Sequence, residues 1–396
     1  MLDSFYENLQ KNHDELNKWF LKNYAEVKMP FYGSVDIRFS NWKVSVVDAN
    51  YFPAGFNNLS ADSIPDLSKS LKRFLLDKFG EIKHLHLFPE SHNRNLGYVE
   101  NLLRLKEIIE TAGYKVTIGS LELNRYTLLE GINDDLRIDK VSINSNDELE
   151  VEGKKPDLII LNNDLTAGVL PGLSGLVQPS VEMGWHNRKK SEHYSQLELL
   201  VEEVSEILDI DPWLLMPMWF VSENKCLEFE ECTNKLAIEI DEMIEQIKTK
   251  YEKYGIDSEP QIFIKNDKGT YGLGIISIKS GEEIKNLSKR KIKRLTYGKG
   301  GTSAENFLIQ EGVPTSLRSN SSILEPVGYS IGGKEMFWFF RSNSKKNEFE
   351  NLNTPSSKFL LPSEVNEEIL EKRKLDWYEL ASKLSFIAMG KELDGI

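Results

Sequence analysis

The sequence has only two cysteines and no hydrophobic run long enough to span a bilayer. Cys226 and Cys232 have five residues between them, a spacing that fits neither a disulfide framework nor a zinc site. We therefore expect both to be reduced thiols in a cytoplasmic protein. No stretch approaches the ~20 apolar residues of a transmembrane helix, and the polar residues 1–19 contain no apolar core of a signal peptide.

The chain also lacks an excess of basic residues. It has 49 lysines and arginines against 62 acidic residues, a net charge of -13, which argues against nucleic acid as a partner. The lysine cluster at 289–294 is typical of a solvated helix face. With 396 residues the chain is long enough for two or three domains. The expected partners are small molecules, and the oligomeric state stays open, a homo-oligomer included.

Helical and strand patterns alternate in the first half of the chain, which predicts an α/β fold with a mainly parallel sheet covered on both faces. The helices are predicted at 64–79, 96–112, 190–208 and 234–254, and the strands at 84–88, 114–118 and 157–161. We place an N-terminal substrate-binding domain at 1–165, a connecting loop and helical segment at 166–255, and a nucleotide-binding domain at 256–396.

Polar side chains collect after two of the predicted strands. One cluster covers residues 90–95 and the other covers 162–164. In parallel sheets, ligands bind beyond the carboxyl ends of the strands. The earlier segment 35–59 is also rich in Asp and Asn, for which ordinary turn chemistry is an alternative explanation. The loop 178–188 either carries function or links domains.

A glycine-rich turn between two strand patterns is the most informative local feature. Apolar alternation around Ile262 and Ile264 precedes Gly-Thr-Tyr-Gly-Leu-Gly at 269–274, and β-branched residues resume at Ile275. Because no helix follows, this is neither a Walker A loop nor a dinucleotide fingerprint. The turn is either a flap whose N–H groups cover phosphates, with Lys265 supplying a charge, or an ordinary hairpin turn.

Three features follow the turn. Residues 306–313 form a strand pattern that is either an ordinary strand end or an exposed backbone that meets an adenine, with Glu311 accepting from ribose hydroxyls. Residues 325–343 predict a hairpin around Gly332-Gly333 that delivers Arg341 and Asn343. Oxygen-bearing side chains at 350–353 suit Mg²⁺, which prefers carboxylate and amide oxygens.

This order of lysine, glycine flap, adenine linker, arginine and oxygen ligands resembles the ATP-grasp superfamily. The segments VDANYFPAGFNNL, FIKNDKGTYGLGI and FFRSN followed by ENLN are similar to the proteobacterial glutamate–cysteine ligase family, across about residues 35–362. The resemblance implies an ATP-grasp fold, an N-terminal mainly parallel α/β substrate domain, and ATP-dependent joining of the glutamate γ-carboxyl to the cysteine amine.

The resemblance also implies roles for individual residues. Catalysis falls to Lys265 and Arg341. Nucleotide binding falls to Lys265, Gly269, Thr270, Tyr271, Gly272, Gly274, Gln310, Glu311 and Val313. The expected substrate contacts are Asp36, Arg38, Asn50, Asn57, Asn58, Arg94 and Asn163. The expected Mg²⁺ ligands are Glu325, Asn343, Glu350, Asn351 and Asn353.

Two alternatives remain at this stage. Another carboxylate–amine ligase, such as glutathione synthetase, would have the same adenosine site with a different acceptor. A nucleotide-binding protein without catalysis is disfavoured because Lys265, Arg341 and Glu350 occur together.

Overall fold

The computed structural model describes residues 1–90, 95–121, 125–223, 226–268, 275–296 and 305–395. Within these ranges none of the helices has the length and apolarity to cross a bilayer. The α-helices are α1 (Leu2–Lys11), α2 (His13–Glu26), α3 (Ile64–Phe79), α4 (Leu96–Thr111), α5 (Lys190–Leu208), α6 (Glu230–Tyr254), α7 (Gly281–Lys285), α8 (Lys289–Thr296) and α9 (Lys372–Asp394).

The strands form three sheets in the described part of the chain. They are β1 (Tyr32–Phe39), β2 (Val44–Asn50), β3 (His84–Pro89), β4 (Lys115–Ser120), β5 (Thr127–Leu129), β6 (Leu136–Ile143), β7 (Leu149–Val151), β8 (Leu158–Asn162), β9 (Val177–Gln178), β10 (Trp219–Ser222), β11 (Ile262–Asn266), β12 (Ile275–Ile278), β13 (Phe307–Glu311), β14 (Arg318–Ser319), β15 (Ser322–Ile331), β16 (Phe337–Asn343) and β17 (Lys358–Leu360).

The seven-stranded sheet confirms the α/β expectation. Its order is β5-β6-β4-β3-β8-β9 with β7 beside β6, and its centre, from β6 to β9, is parallel. Every residue of β8 is buried, as expected for a strand covered on both faces. The carboxyl ends of β3 and β8 therefore lie side by side, with Pro89 opposite Asn162.

The four-stranded sheet has the order β10-β13-β11-β12 and is antiparallel. Strands β11 and β12 pair from Lys265 opposite Ile275 to Ile262 opposite Ile278. The glycine-rich segment thus connects two antiparallel strands, as predicted, while residues 269–274 themselves lie outside the described ranges. A separate core of α6, β11 and β13 side chains lies under this sheet.

The six-stranded sheet has the order β17-β16-β15-β1-β2, with β14 beside β15. Strand β1 pairs antiparallel with β15, from Tyr32 opposite Ile331 to Asp36 opposite Val327. Sheet membership therefore does not follow the boundaries at 165 and 255, because two N-terminal strands belong to a C-terminal sheet. Those boundaries stay a prediction. Helix α9 packs on β1 and β2.

The cysteine prediction is wrong. Cys226 and Cys232 form a disulfide, and their Cα atoms are 5.1 Å apart, within the range that a disulfide bridges. A short 3-10 turn at Cys226–Glu228 runs directly into the start of α6, and this reversal brings the two residues together. Spacing along the sequence alone does not reveal such a turn.

Candidate active site

One cavity of about 810 Å³ lies where the three sheets meet. The four-stranded sheet contributes Phe263, Lys265 and Gln310 to its wall; the six-stranded sheet contributes Asp36, Glu325 and Arg341; the seven-stranded sheet and its helices contribute Glu90, Asn95, Tyr98, Asn162 and Asp164. The polar residues after β3 and β8 thus face the same space as the lysine before the glycine-rich segment. A cavity of this size is in the range of small-molecule sites.

The position of Lys265 in β11 places its side chain in the wall of this cavity. Its side chain is buried, with 8% of its surface exposed, and Nζ donates to the Val47 carbonyl oxygen at 2.8 Å. Burial lowers the pKa of Lys265 to about 8, although the Asp48 carboxylate acts in the opposite direction. The residue is a buried cation in a position to meet an anionic ligand.

Arg341 lies between two carboxylates on neighbouring strands. Its Nη1 donates to Asp36 Oδ2 at 2.9 Å and also to Glu325 Oε1, and Nη2 donates to Asp36 Oδ1 at 3.3 Å. Burial opposes its charge, but the two acids outweigh burial and raise the pKa of Arg341. Its Nε atom has no hydrogen-bond partner in the described structure. The guanidinium is therefore always charged, and its Nε donor is unused.

Arg38 pairs with an acid of the same sheet. Its Nε is 2.9 Å from Glu325 Oε2. The two terminal nitrogens donate to the carbonyl oxygens of Glu348 and Glu350, each at 2.8 Å. Arg38 lines the cavity, but its donors are engaged by protein groups. Its contact with substrate stays a prediction.

Three basic side chains from different parts of the chain contact the outer edge of β2. The contacts run from Lys265 Nζ to Val47 O at 2.8 Å, from Lys190 Nζ to the Asp48 carboxylate, and from Arg188 Nη1 to Ala49 O at 2.8 Å. Lys190 and Arg188 flank the start of α5 and Lys265 lies in β11. These contacts hold the four-stranded sheet and α5 against the six-stranded sheet.

Arg188 is anchored by the C-terminal helix. Its Nε and Nη2 donate to the Glu392 carboxylate at 2.8 and 3.1 Å. His193 Nδ1 is 2.7 Å from Glu392 Oε1, and its Nε2 is 3.0 Å from Ser385 Oγ. Burial works against ionisation of Glu392, but Arg188 and His193 lower its pKa overall. This buried network fixes the cavity wall at the loop 178–188.

Buried hydrogen bonds position the wall formed by the seven-stranded sheet. Tyr98 Oη donates to Asn162 O at 2.7 Å, and Asn101 Nδ2 donates to Asn162 Oδ1 at 2.9 Å. Asn162 Nδ2 donates to Pro53 O at 2.9 Å and to Tyr32 Oη at 3.2 Å. The start of α4, the end of β8 and the loop after β2 are thereby locked together.

The predicted adenosine segment is more enclosed than expected. Strand β13 lies between β10 and β11, with Gln310 opposite both Trp219 and Phe263, so the backbone of Phe307–Glu311 is not the exposed edge we predicted. Gln310 and Val313 line the cavity, and Gln310 Nε2 is buried without a partner in the described residues. Their contact with nucleotide stays a prediction.

Glu311 makes strong contacts within the protein. Its carboxylate accepts from Lys43 Nζ at 2.7 Å, from Met218 N at 2.9 Å, and from Trp213 Nε1 at 3.0 and 3.1 Å. Lys43 also lies 4.1 Å from the Trp213 ring centroid. A ribose contact stays a prediction for Glu311, and in this structure its side chain joins β13 to the β1–β2 turn.

Among the predicted metal ligands, Glu325, Asn351 and Asn353 line the cavity, whereas Asn343 and Glu350 do not. Glu350 accepts from Lys346 Nζ at 2.8 Å and from Asn347 N at 2.9 Å, and these bonds lower its pKa. The Asn343 amide donates to the hydroxyl groups of Thr354, Ser356 and Ser357 at 3.2–3.3 Å. Within the described ranges, no group of three His, Cys, Asp or Glu side chains is placed to hold a metal ion.

The other predicted residues divide into three groups. Asn50, Asn57 and Asn58 line the cavity, and Asn57 Oδ1 has no partner among the described atoms. Asn163 does not line it, because its side chain bonds Pro89 O at 3.1 Å and Leu165 N at 2.9 Å. Arg94 and the flap residues Gly269, Thr270, Tyr271, Gly272 and Gly274 lie outside the described residues.

Several cavity residues were not selected from the sequence. Arg188 and Trp185 lie in the loop 178–188. The aromatic and charged residues of this loop were the sequence feature that could have marked them as site residues. Asp164 lies in the polar cluster after β8. No sequence feature distinguishes Lys190 or Tyr329 as a site residue, because Lys190 lies in a regular helical pattern and Tyr329 in a regular strand pattern.

Comparisons with known proteins agree with this geometry. The glutamate–cysteine ligase family model matches residues 7–393. The chain belongs to the glutamate–cysteine ligase family. It is therefore an ATP-dependent ligase that joins glutamate and cysteine, the first step of glutathione biosynthesis.

A solved structure is similar to the ligase over nearly its whole length. A protein of Methylobacillus flagellatus, provisionally described as a gamma-glutamylcysteine synthetase, is 30% identical with a TM-score of 0.89 over 99% of this chain and 96% of its own. No curated protein sequence matches.

Two other solved structures are much less similar. D-alanyl-alanine synthetase A of Vibrio cholerae is 11% identical, with a TM-score of 0.34 over 76% of this chain and 80% of its own. A glutathione synthetase-like effector of Globodera pallida is 11% identical, with a TM-score of 0.39 over 90% and 83%. Likeness at this level carries no argument about the ligase.

Proposed function

We propose that the cavity between the three sheets is where the ligase activates the γ-carboxylate of glutamate and joins it to cysteine. The observation that carries this proposal is that Lys265 and Arg341 line one cavity although they belong to different sheets. An ATP-grasp arrangement, with the nucleotide between two sheets, is the geometry we propose for it.

The reaction needs a positioned phosphoryl group more than it needs a protein nucleophile. A γ-carboxylate oxygen attacks the γ-phosphorus of ATP, the bond to ADP breaks, and γ-glutamyl phosphate forms. The cysteine amine then attacks the acyl carbon, loses a proton, and inorganic phosphate leaves. Both steps develop negative charge on phosphoryl oxygens, which preorganised cations stabilise.

Arg341 and Lys265 supply those cations in our proposal. Arg341 has an unused Nε donor and a charge fixed by Asp36 and Glu325. Lys265 exchanges its bond to Val47 O for a phosphate oxygen, which raises its pKa again because an anion favours the charged amine. The five flap residues named above are proposed to cover the phosphates.

Mg²⁺ is proposed as the metal, with Glu325, Asn351 and Asn353 as the predicted ligands that line the cavity. The donor set fits because Mg²⁺ is usually held by one or two carboxylates together with substrate phosphates, so a cluster of three acids is not required. When bound, the ion neutralises phosphate charge. Glu350 and Asn343 remain weaker candidates because neither of them lines the cavity. A cytoplasmic location also remains part of the proposal.

Mass spectrometry of products tests the proposal directly. The purified protein incubated with glutamate, cysteine, ATP and Mg²⁺ is expected to release γ-glutamylcysteine, ADP and phosphate. Replacing Lys265 or Arg341 by alanine is expected to reduce turnover by about a thousandfold or more, as for loss of transition-state charge stabilisation. Circular dichroism of the variants checks the fold.

The exposed Lys235 provides a matched control, since Lys235→Ala removes a cation that does not line the cavity and is expected to leave turnover unchanged. Product from γ-glutamylcysteine and glycine instead would identify the other ligase class. Near-normal turnover in Lys265→Ala or Arg341→Ala would remove that residue from the mechanism.

A further inference from the structure

Asp164 is a buried acid that forms no ion pair with the described part of the chain. Only 4% of its surface is exposed, and it lines the cavity. Its Oδ1 accepts from the backbone N–H and the hydroxyl of Thr166. Its Oδ2 has no hydrogen-bond partner in the described structure. A buried polar atom left unpaired is costly and calls for an explanation.

The neighbouring part of the cavity wall favours a negatively charged ligand group, whereas Asp164 favours a positively charged one. The first residues of α4, Asn95, Gly97 and Tyr98, line the same cavity, and the N-terminus of this 16-residue helix carries a partial positive charge. The two features are connected, because Glu90 Oε1 accepts from Asp164 N at 2.8 Å and Glu90 N donates to Tyr98 Oη at 2.8 Å. A carboxylate and a helix N-terminus thus lie on one short stretch of wall.

This pair of charges is complementary to the head group of an α-amino acid. An α-ammonium supplies the donors that a buried carboxylate lacks, and an α-carboxylate is favoured at a helix N-terminus. Both substrates of the ligase are α-amino acids, so the chemistry of the reaction has to show which of the two this subsite binds.

We propose that Asp164 binds the α-ammonium of glutamate, with the glutamate α-carboxylate at the N-terminus of α4. The α-ammonium of glutamate is carried unchanged into the product. The amine of cysteine is the nucleophile and has to lose its proton, which pairing with a buried carboxylate would oppose. This subsite rests on the proposed function, and it leaves the γ-carboxylate for the part of the cavity that contains Arg341.

The test is Asp164→Asn, which is isosteric and still accepts from Thr166 through Oδ1. We expect KM for glutamate to rise by at least about thirtyfold, the effect of breaking a buried charge pair, with KM for cysteine and ATP unchanged. Glutarate, which lacks the α-amino group, is the decisive probe. The wild type is expected to prefer glutamate strongly, and the variant to lose most of that preference while its kcat/KM for glutarate does not fall.

Glu182→Gln is the matched control, since it removes one negative charge from an exposed position in the loop 178–188 and should change none of these constants. Equal losses with glutamate and glutarate would show that Asp164 only supports its loop. A rise in KM for cysteine alone would assign the subsite to the other substrate. If the wild type makes no γ-glutamylcysteine, the proposed function itself fails, whatever the variant does.

Discussion

In our proposal Lys265 has to be charged when ATP binds, yet its burial favours the neutral amine. Burial lowers its pKa to about 8, so the proton is held at neutral pH and lost in mildly alkaline solution. The Val47 carbonyl and Asp48 stabilise the ammonium, and in our proposal a phosphate oxygen replaces the carbonyl. The proposed role therefore makes nucleotide binding to the free enzyme sensitive to pH.

We therefore predict that kcat/KM for ATP falls as the pH rises above about 8. Deprotonation of Lys265 removes the charge that meets the phosphates, so the fall approaches about tenfold per pH unit if the neutral amine does not bind. Initial rates with saturating glutamate and cysteine between pH 6.5 and 9.5 measure it. Lys265→Arg should flatten the fall, because a guanidinium does not titrate in this range. An unchanged decline in that variant would assign the titration to another group.

Cavity residues that lie in a recognisable strand pattern could be selected from the sequence. Contacts between side chains far apart in the sequence could not. Lys265 and Arg341 were selected because each lies in a recognisable strand pattern and matches the family resemblance. Glu311 was assigned to ribose, whereas its side chain contacts Lys43 at a separation of 268 residues and Trp213 at 98. A single sequence gives no sign of such pairings.

At the scale of elements, the turn between β1 and β2 links the six-stranded and four-stranded sheets. Lys43 is fully buried and pairs with Glu311 of β13, which also accepts from Met218 N just before β10. A buried pair loses far more when one partner is removed than an exposed pair does, because the other charge stays buried and unpaired.

Lys43→Ala is expected to lower the free energy of unfolding by about 3 kcal/mol, as is usual when one partner of a buried ion pair is removed. Urea denaturation measures the loss. Lys235→Ala, in an exposed pair with Glu239 on α6, should cost only about 0.3 kcal/mol. If the two variants lose equal stability, the buried pair does not hold the sheets together.

Elements with strong local periodicity were predicted well, since α3 and α5 occur at the predicted residues. The N-terminal helical stretch divides at Asn12 into α1 and α2. The pairing of β1 with β15 joins strands about 290 residues apart, and hydrophobic alternation indicates a strand without naming its neighbour. The predicted domain boundaries missed this pairing for that reason.

At the scale of the whole molecule, the cavity belongs to no single sheet. All three sheets contribute lining residues, so a ligand that fills the cavity contacts all three. Parallel-sheet reasoning placed the substrate side at the ends of β3 and β8, and that edge does face the cavity. The six-stranded sheet, which also lines the cavity, was not predicted as a separate layer.

We predict that a non-hydrolysable ATP analogue with Mg²⁺ and glutamate raises the melting temperature in one cooperative transition. At a concentration 100 times its Kd, a ligand that binds only the native state adds about 2.7 kcal/mol. Differential scanning calorimetry measures the shift, and Lys265→Ala should reduce it. Two separate transitions, only one of which moves, would show that the ligand contacts a single part of the molecule.

The cations along β2 have a second consequence, for solubility. An open sheet edge is a template for aggregation, because its free carbonyl oxygens can pair with a strand of another molecule. On the β2 edge, Lys265 and Arg188 take the acceptors of Val47 and Ala49. The lysine proposed to bind the nucleotide therefore also helps to keep one molecule from adhering to the next.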